Sequence, residues 1–300
     1  MIAGHDLTAL CSRLSRALAR PRGSYRPLRI DGSAAGWLDD ARSARIATMR
    51  DVFVVRDDSI CFVEGLDTEE RRSAALERVA RELSEGGELT AWRDERYAVA
   101  PEFGAAPWFR LERAAARYFG IHTYAAHLNG VVRVEDGILM WLARRSATKS
   151  IDPGMLDNLV GGGVASGQSV NAALMKESWE EAGIPVPLAR LAKAAGHVEI
   201  WREQPDGLQH ETIFVHDLWL PATFTPVAQD AEVVDYRLVT LAEVAKLVAV
   251  GKVFDAITAD ASLVIVDFLM RQGKIERDTT TYRMLDALRH PPTSFATPAS

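Results

Sequence analysis

Cysteine is scarce in this 300-residue chain, which has only Cys11 and Cys61. Two isolated thiols make neither a metal-ligand spacing nor a disulfide framework, so both are expected to be reduced and at least half-buried. A basic excess is also lacking. Lys and Arg number 35 against 41 Asp and Glu, a formal net charge of −6, which argues against nucleic acid or an anionic membrane surface as partner. No apolar run approaches the roughly 20 residues that span a bilayer. His5, Asp6, Arg13 and Arg16 interrupt the segment where a signal peptide would need its apolar stretch. His127, His197, His210 and His216 show no ligand spacing with one another and receive no role. There is no internal repeat, and only PPTSFATPAS (291–300) reads as a frayed tail. What remains, 48% hydrophobic and 25% charged, is a globular chain with room for two domains and is expected in the cytosol.

In the first third, Leu7, Leu10, Cys11, Leu14 and Leu18 form the apolar stripe of a helix over 6–20. Residues 21–32 read as an Arg- and Gly-rich loop, 37–49 as a second helix, and 52–65 as a hairpin turned at Asp57-Asp58-Ser59. A charged helix is expected over 68–83, an extended segment over 92–101 and a short helix over 108–118. From Tyr124 the texture becomes strand-like. Residues 125–146 predict two strands joined at Asp136-Gly137, and 195–221 two more joined at Pro205-Asp206-Gly207. A strand and a helix capped at Gly251 follow over 230–251, then an apolar helix over 257–272.

Between the two strand pairs lies the stretch 161–184, GGGVASGQSVNAALMKESWEEAGI. Ser169 or Asn171 can cap a helix here, and Gly183 with Pro185 beyond it gives the stop signal. Glu177, Glu180 and Glu181 fall at i, i+3 and i+4 and so share one helical face. Like charges in that relation cost about 0.2–0.5 kcal/mol per pair. On the helix alone, a solvated face is the commoner explanation. Beside a glycine-rich loop, whose N–H groups can approach an anion, the trio reads as an all-oxygen site for Mg²⁺ or Mn²⁺ that binds phosphate through metal.

This stretch resembles the Nudix box, G-(five)-E-(seven)-R-E-U-x-E-E-x-G-U, with U a bulky apolar residue. Gly162 takes the first glycine, Glu177 the central glutamate, Glu180 and Glu181 the pair, and Gly183-Ile184 the end. Gln168 stands where the first glutamate is expected, Lys176 where the arginine is, and Ser178 where an apolar residue is. HLNGVV, LMWLARRSATKSIDPGMLDNLVGGGVASG and HDLWLPATFTPVAQDAEVVDYRLVTLAEV further resemble a Nudix branch with an N-terminal DUF4743-type domain. That branch includes the Nudix half of fungal thiamine pyrophosphokinases and a plant plastid relative.

The resemblance implies an α/β fold: a Nudix α/β/α sandwich with a mixed sheet over 121–275. A small α+β domain would precede it over 1–120, and a C-terminal helix and tail would follow over 276–300. It implies a diphosphatase acting on oxidised thiamine diphosphate, with Glu177, Glu180 and Glu181 binding metal. Glu232 is the candidate base outside the box, and Lys149, Gly162 and Gly163 are candidates for binding substrate. A small-molecule diphosphate is the expected partner, and a homodimer is compatible with the family. Trp37, Trp92, Trp108, Trp141 and Trp201 are available, without placement, to wall an aromatic ring. Three other readings compete. An isopentenyl-diphosphate isomerase shares PGMLDN but needs a catalytic cysteine, and both cysteines lie in the first third. A non-catalytic Nudix sensor fits the altered box positions. A pyrophosphatase acting on a nucleoside diphosphate derivative shares the same chemistry.

Overall fold

The computed structural model describes residues 2, 4–250, 255–292 and 295. In the first third, α1 (Gly4–Ala17) precedes β1 (Tyr25–Ile30), β2 (Ser33–Asp39), α2 (Asp40–Ile46), β3 (Phe53–Arg56), β4 (Ser59–Phe62) and α3 (Glu69–Glu85). The strands form a sheet of order β2-β1-β4-β3, and α3 packs its Ala75, Leu76, Val79, Ala80 and Leu83 stripe into that module's core. Then β5 (Arg96–Val99) and β6 (Phe109–Glu112) pair as a small hairpin.

Three sequence expectations fail in this module. Residues 25–30 are strand, not loop; 33–39 are strand before a helix confined to 40–46; and 109–112 are strand followed by one 3-10 turn over 113–115. Segments of four to seven residues carry too few periods to separate alternation from a helical stripe.

The second part opens on two long strands, β7 (His122–Val134) and β8 (Gly137–Arg145). The short β9 (Leu156–Asn158) and β10 (Val160–Gly163) follow, then α4 (Val170–Ala182) and α5 (Val186–Ala189). Next come β11 (Lys193–Gln204), β12 (Gly207–Leu220), β13 (Val233–Thr240), α6 (Leu241–Val250), α7 (Ala259–Arg271) and α8 (Thr280–Arg289). The sheet runs β11-β12-β7-β8-β13, with β10 added on β7 and β9 on β8. The β7–β12 pair is parallel and the other pairs antiparallel, so the sheet is mixed.

Helices cover both faces. On one side α4 and α5 close a core with Leu128, Val132, Leu159 and Leu218. On the other, α6, α7 and α8 pack over Val131, Met140, Leu142, Ile200 and Val215. Burial on both faces explains why β7 is almost continuously buried rather than alternating. This is the α/β/α sandwich with a mixed sheet. The hairpin turns expected at Asp136-Gly137 and Pro205-Asp206-Gly207 are present. The Gly251 cap, and most of the 291–300 tail, lie outside the described residues.

Helix α1 packs away from the module that follows it. Leu10, Cys11, Leu14 and Leu18 join the core of α6, α7 and α8. Arg13, 8% exposed, donates to Val248 O at 2.6 Å, Ile257 O at 2.5 Å and Ser262 Oγ at 3.1 Å, so its buried charge is met by acceptors from the far end of the chain. Among the described residues no helix is long and apolar enough to cross a membrane.

Candidate active site

Strand β10 and helix α4 carry the box. Ser169, not Asn171, is the N-cap, its hydroxyl accepting from Ala172 N at 3.1 Å. At the other end Gly183 takes a left-handed φ of 61°, and the N–H groups of Gly183 and Ile184 close on Trp179 O and Ser178 O. Helix α4 thus ends where Tyr236 Oη donates to the carbonyl of Glu181.

The glycines do not form a loop, as their number suggested. Gly161, Gly162 and Gly163 continue β10 and pair with His127, Ala126 and Ala125 of β7. Each clears room for a different side chain. A Cβ at Gly161 would lie 3.0 Å from the His127 ring, one at Gly162 2.4 Å from Glu177 Cγ, and one at Gly163 2.5 Å from the Tyr97 hydroxyl. The strand is therefore the meeting line of β7, α4 and the β5–β6 hairpin.

Glu181 is 4% exposed, and its Oε2 accepts from Gly161 N at 2.8 Å. Burial pushes its acid up to about 8, against that hydrogen bond and the field of Lys149. Glu177 is also raised, first by burial and then by Glu180 and Glu232, although Lys176 opposes the shift. Both acids stay raised despite Lys149 and Lys176, and carboxylate oxygens of this kind are the donors that a hard divalent cation takes. Glu180 turns toward solvent. Lys176 Nζ bridges Glu180 Oε2 at 2.8 Å and Glu177 Oε1 at 3.1 Å, and among the described residues no three acidic, His or Cys side chains converge on one point.

The altered box positions have local explanations. Ser178 is fully buried, its hydroxyl without a hydrogen-bond partner among the described residues, so the position keeps the interior character of an apolar residue. Gln168 accepts from Ala165 N at 3.3 Å and braces the turn before α4.

Lys149 and Glu232, far apart in sequence, form an ion pair, with Arg93 4.0 Å from the same carboxylate. Burial raises the Glu232 acid, but the Lys149 hydrogen bond and the surrounding cations outweigh it and hold the group below the usual carboxylate range. Lys149 thus lines the cleft already paired with Glu232.

Beside β10 a cleft of about 220 Å³ opens between the two parts of the chain. Arg93, Tyr97, Arg113 and Arg117 of the N-terminal module face Gly161–163, His127, Arg145, Lys149, Asp157, Glu211 and Asp260 of the sandwich. None of the five tryptophans lines it; Tyr97 and His210 do. Trp37 and Trp201 instead meet edge to face, 6.4 Å apart. Composition gave no signal for the arginines, because they come from a module without a recognisable motif.

The family model described as "Domain of unknown function (DUF4743)" matches residues 7–123 and the NUDIX domain model residues 123–256. The chain is 35% identical to Nudix hydrolase 20, chloroplastic, of Arabidopsis thaliana over 288 residues, covering 92% of this chain and 76% of that protein. It is equally identical, at 35% over 281 residues and the same shares, to Nudix hydrolase 24, chloroplastic, of that plant. Among solved structures, DR0079 from Deinococcus radiodurans is 22% identical with a TM-score of 0.44, covering 57% of this chain and 98% of that one. Identity of this extent with two plant hydrolases, over a sandwich that holds Glu177, Glu180 and Glu181 on α4 beside a glycine strand, places the chain in the Nudix hydrolase family.

Proposed function

We propose that the enzyme cleaves the terminal phosphate from an organic diphosphate, with Mg²⁺ or Mn²⁺ held by Glu177, Glu180 and Glu181. The observation that carries this reading is the junction at β10. There Glu181 and Glu177, whose acids are raised, contact Gly161 and Gly162, and those glycines line a cleft together with five cationic side chains, Arg93, Arg113, Arg117, Arg145 and Lys149. A divalent cation in that set supplies charge neutralisation and activation of water. The chain's own groups do the rest. Lys149 and the arginines draw the diphosphate to β10, where Gly162 and Gly163, half-buried in the cleft wall, let it approach the backbone. The two modules wall it from solvent. Lys176, which now bridges Glu177 and Glu180, would yield those carboxylates to the metal. Glu232 remains the proposed base outside the box, ionised through Lys149, though a carboxylate held low accepts a proton less readily than one held near neutrality.

Oxo- or oxythiamine diphosphate, yielding the monophosphate and phosphate, is the proposed substrate. A flat cationic ring has Tyr97 and the acidic groups Glu211 and Asp260 available in the cleft. The proposed compartment is the cytosol, on composition, whereas the plant relatives are named chloroplastic. One observation favours a second reading, a non-catalytic ligand sensor: Lys176 already neutralises two box glutamates and Gln168 adds no charge.

The test is phosphate release from a panel of thiamine diphosphates, nucleoside diphosphate sugars, dinucleotides and nucleoside triphosphates, with Mg²⁺ and in chelator. Mg²⁺-dependent turnover with the highest kcat/KM on the oxidised thiamine diphosphates is expected. Preference for another class refutes the substrate, and binding without turnover on every compound leaves the sensor.

A further inference from the structure

A line of buried polar side chains runs from the cleft through the sheet to the last helices. Arg271 Nη2 donates to Asp217 Oδ1 at 3.0 Å, and its Nε to Asp267 Oδ2 at 2.7 Å. Asp217 Oδ1 also accepts from Asn129 Nδ2 at 3.0 Å. The Asn129 carbonyl accepts from Asn158 Nδ2 at 3.0 Å, and Asn158 Oδ1 lies 2.8 Å from His127 Nδ1. Asn129 and Asn158 are each 1% exposed, so water cannot substitute for a missing partner.

Such a line has a direction. An ionised carboxylate can only accept, so Asp217 forces Asn129 to present its NH₂ group. The Asn129 carbonyl is then left for the NH₂ of Asn158, and the Asn158 carbonyl for the imidazole. Nδ1 must carry the ring proton, and in the neutral ring Nε2 is a bare acceptor. That nitrogen has no hydrogen-bond partner among the described residues, and the His127 ring lines the cleft. Its place is defined by Gly161. A Cβ there would come within 3.0 Å of Nε2, and the Gly161 N–H is the donor to Glu181 Oε2. Gly161 thus leaves room for the ring on one side and holds the buried box carboxylate through its N–H.

Diphosphate oxygens are themselves acceptors and cannot satisfy a lone pair. Water can. We propose that His127 is a positioning residue whose Nε2, fixed by the Asp217-Asn129-Asn158 relay, accepts a hydrogen bond from the water that attacks the diphosphate. Proton removal stays with the carboxylates. The assignment rests on the hydrolase reading above.

Two measurements test it. ¹⁵N NMR of the histidine rings, with the His127 signals assigned by their loss in His127→Gln, should show a proton on Nδ1 and none on Nε2. Asn158→Leu should abolish that pattern. Steady-state kinetics on the best diphosphate substrate should show His127→Leu lowering kcat by about 10–100-fold, the range for groups that orient a reacting site, with KM little changed. His127→Gln, whose carbonyl can accept from water, should recover part of the loss, and melting curves confirm that each variant is folded. A proton on Nε2 in the wild-type protein overturns the relay. Unchanged kcat in His127→Leu, or a raised KM at unchanged kcat, overturns the water assignment; the second result would give the donor to the ligand. Absence of turnover by the wild type on every diphosphate defeats the hydrolase reading and the water role together, while the NMR result still decides the relay.

Discussion

The N-terminal module and the sandwich are built from similar elements but bury different things. Between β1 and the 3-10 turn, the polar side chains buried among the described residues are Ser43, Ser59 and Glu112. The module's charges pair at its surface, as in Arg45 with Glu82 and Glu88, Arg78 with Asp51, and Arg81 with Glu77. Exposed pairs of this sort contribute about 0–1 kcal/mol each. The sandwich instead buries His127, Asn129, Asn158, Glu181, Arg202, Gln209, Asp217 and Asp267 within hydrogen-bond networks. Desolvating so many polar groups is a cost that packing alone would avoid. The module buries little polarity and presents arginines to the cleft; the sandwich carries a hydrogen-bonded polar interior.

The sharpest test of that contrast is Glu181→Gln. It should remove about three orders of magnitude of kcat/KM, the several kcal/mol of charge stabilisation that a correctly held cation provides. In chelator the same change should raise the melting temperature near pH 8. An acid held at about 8 in the folded state and near 4.5 when unfolded binds more protons in the fold, so metal-free stability declines as pH climbs through that interval. A variant that is inactive and also less stable under those conditions would break the contrast.

Core truncation comes next. Leu76→Ala in α3 and Leu14→Ala in α1 should each cost about 2–5 kcal/mol in chemical denaturation, both side chains being fully buried. Hydrogen exchange separates them: Leu76→Ala should loosen β1–β4, and Leu14→Ala should loosen α6–α8. Equal loosening of both parts in either variant would mean that the halves unfold as one. Gly162→Ala should then reduce activity by about 10–100-fold through displacement of Glu177, with little change in unfolding midpoint.

A histidine pair, of which His210 lines the cleft, gives a smaller, pH-dependent effect. The His122 and His210 rings stack at 3.9 Å, and burial lowers His122 to about 4 and His210 well below its usual value. Below about pH 6.5 the unfolded chain takes up protons that the folded rings refuse, so their contribution is complete above that pH and lost toward pH 4. His122→Gln should flatten the melting-temperature profile between pH 6.5 and 4. An unaltered profile would mean that the pair does not titrate on unfolding. The least effect is expected from Gln168→Glu. Its carboxylate can still accept from Ala165 N, so a modest rise in Mg²⁺ affinity by calorimetry is expected, and a large loss of activity would reveal a substrate role for Gln168.

Much of the sandwich is legible in sequence because its punctuation is local. Asp136-Gly137 and Pro205-Asp206-Gly207 mark the hairpins, and Ser169 and Gly183 bracket α4. The spacing of Glu177, Glu180 and Glu181 gives the box face directly. What the sequence conceals is non-local. Glycine composition suggests a loop at 161–163, whereas three side chains from β7, α4 and β5 require the glycines in a strand. Lys149 and Glu232 meet only through the fold, as do the arginines of the cleft. The helix at 6–20 is correctly read as amphipathic, but periodicity says nothing about which core receives its stripe.

That last point bears on how the chain is made. Arg13 bonds groups that lie 235 to 249 positions later in the sequence. Helix α1 therefore cannot reach its final place until α6 and α7 have been synthesised. At roughly 5–20 residues per second, it waits on the order of ten seconds or more with Leu10, Leu14 and Leu18 uncovered. A chain stalled before α7 would therefore leave the apolar stripe of α1 without its core, an uncovered surface of the kind that holding chaperones bind.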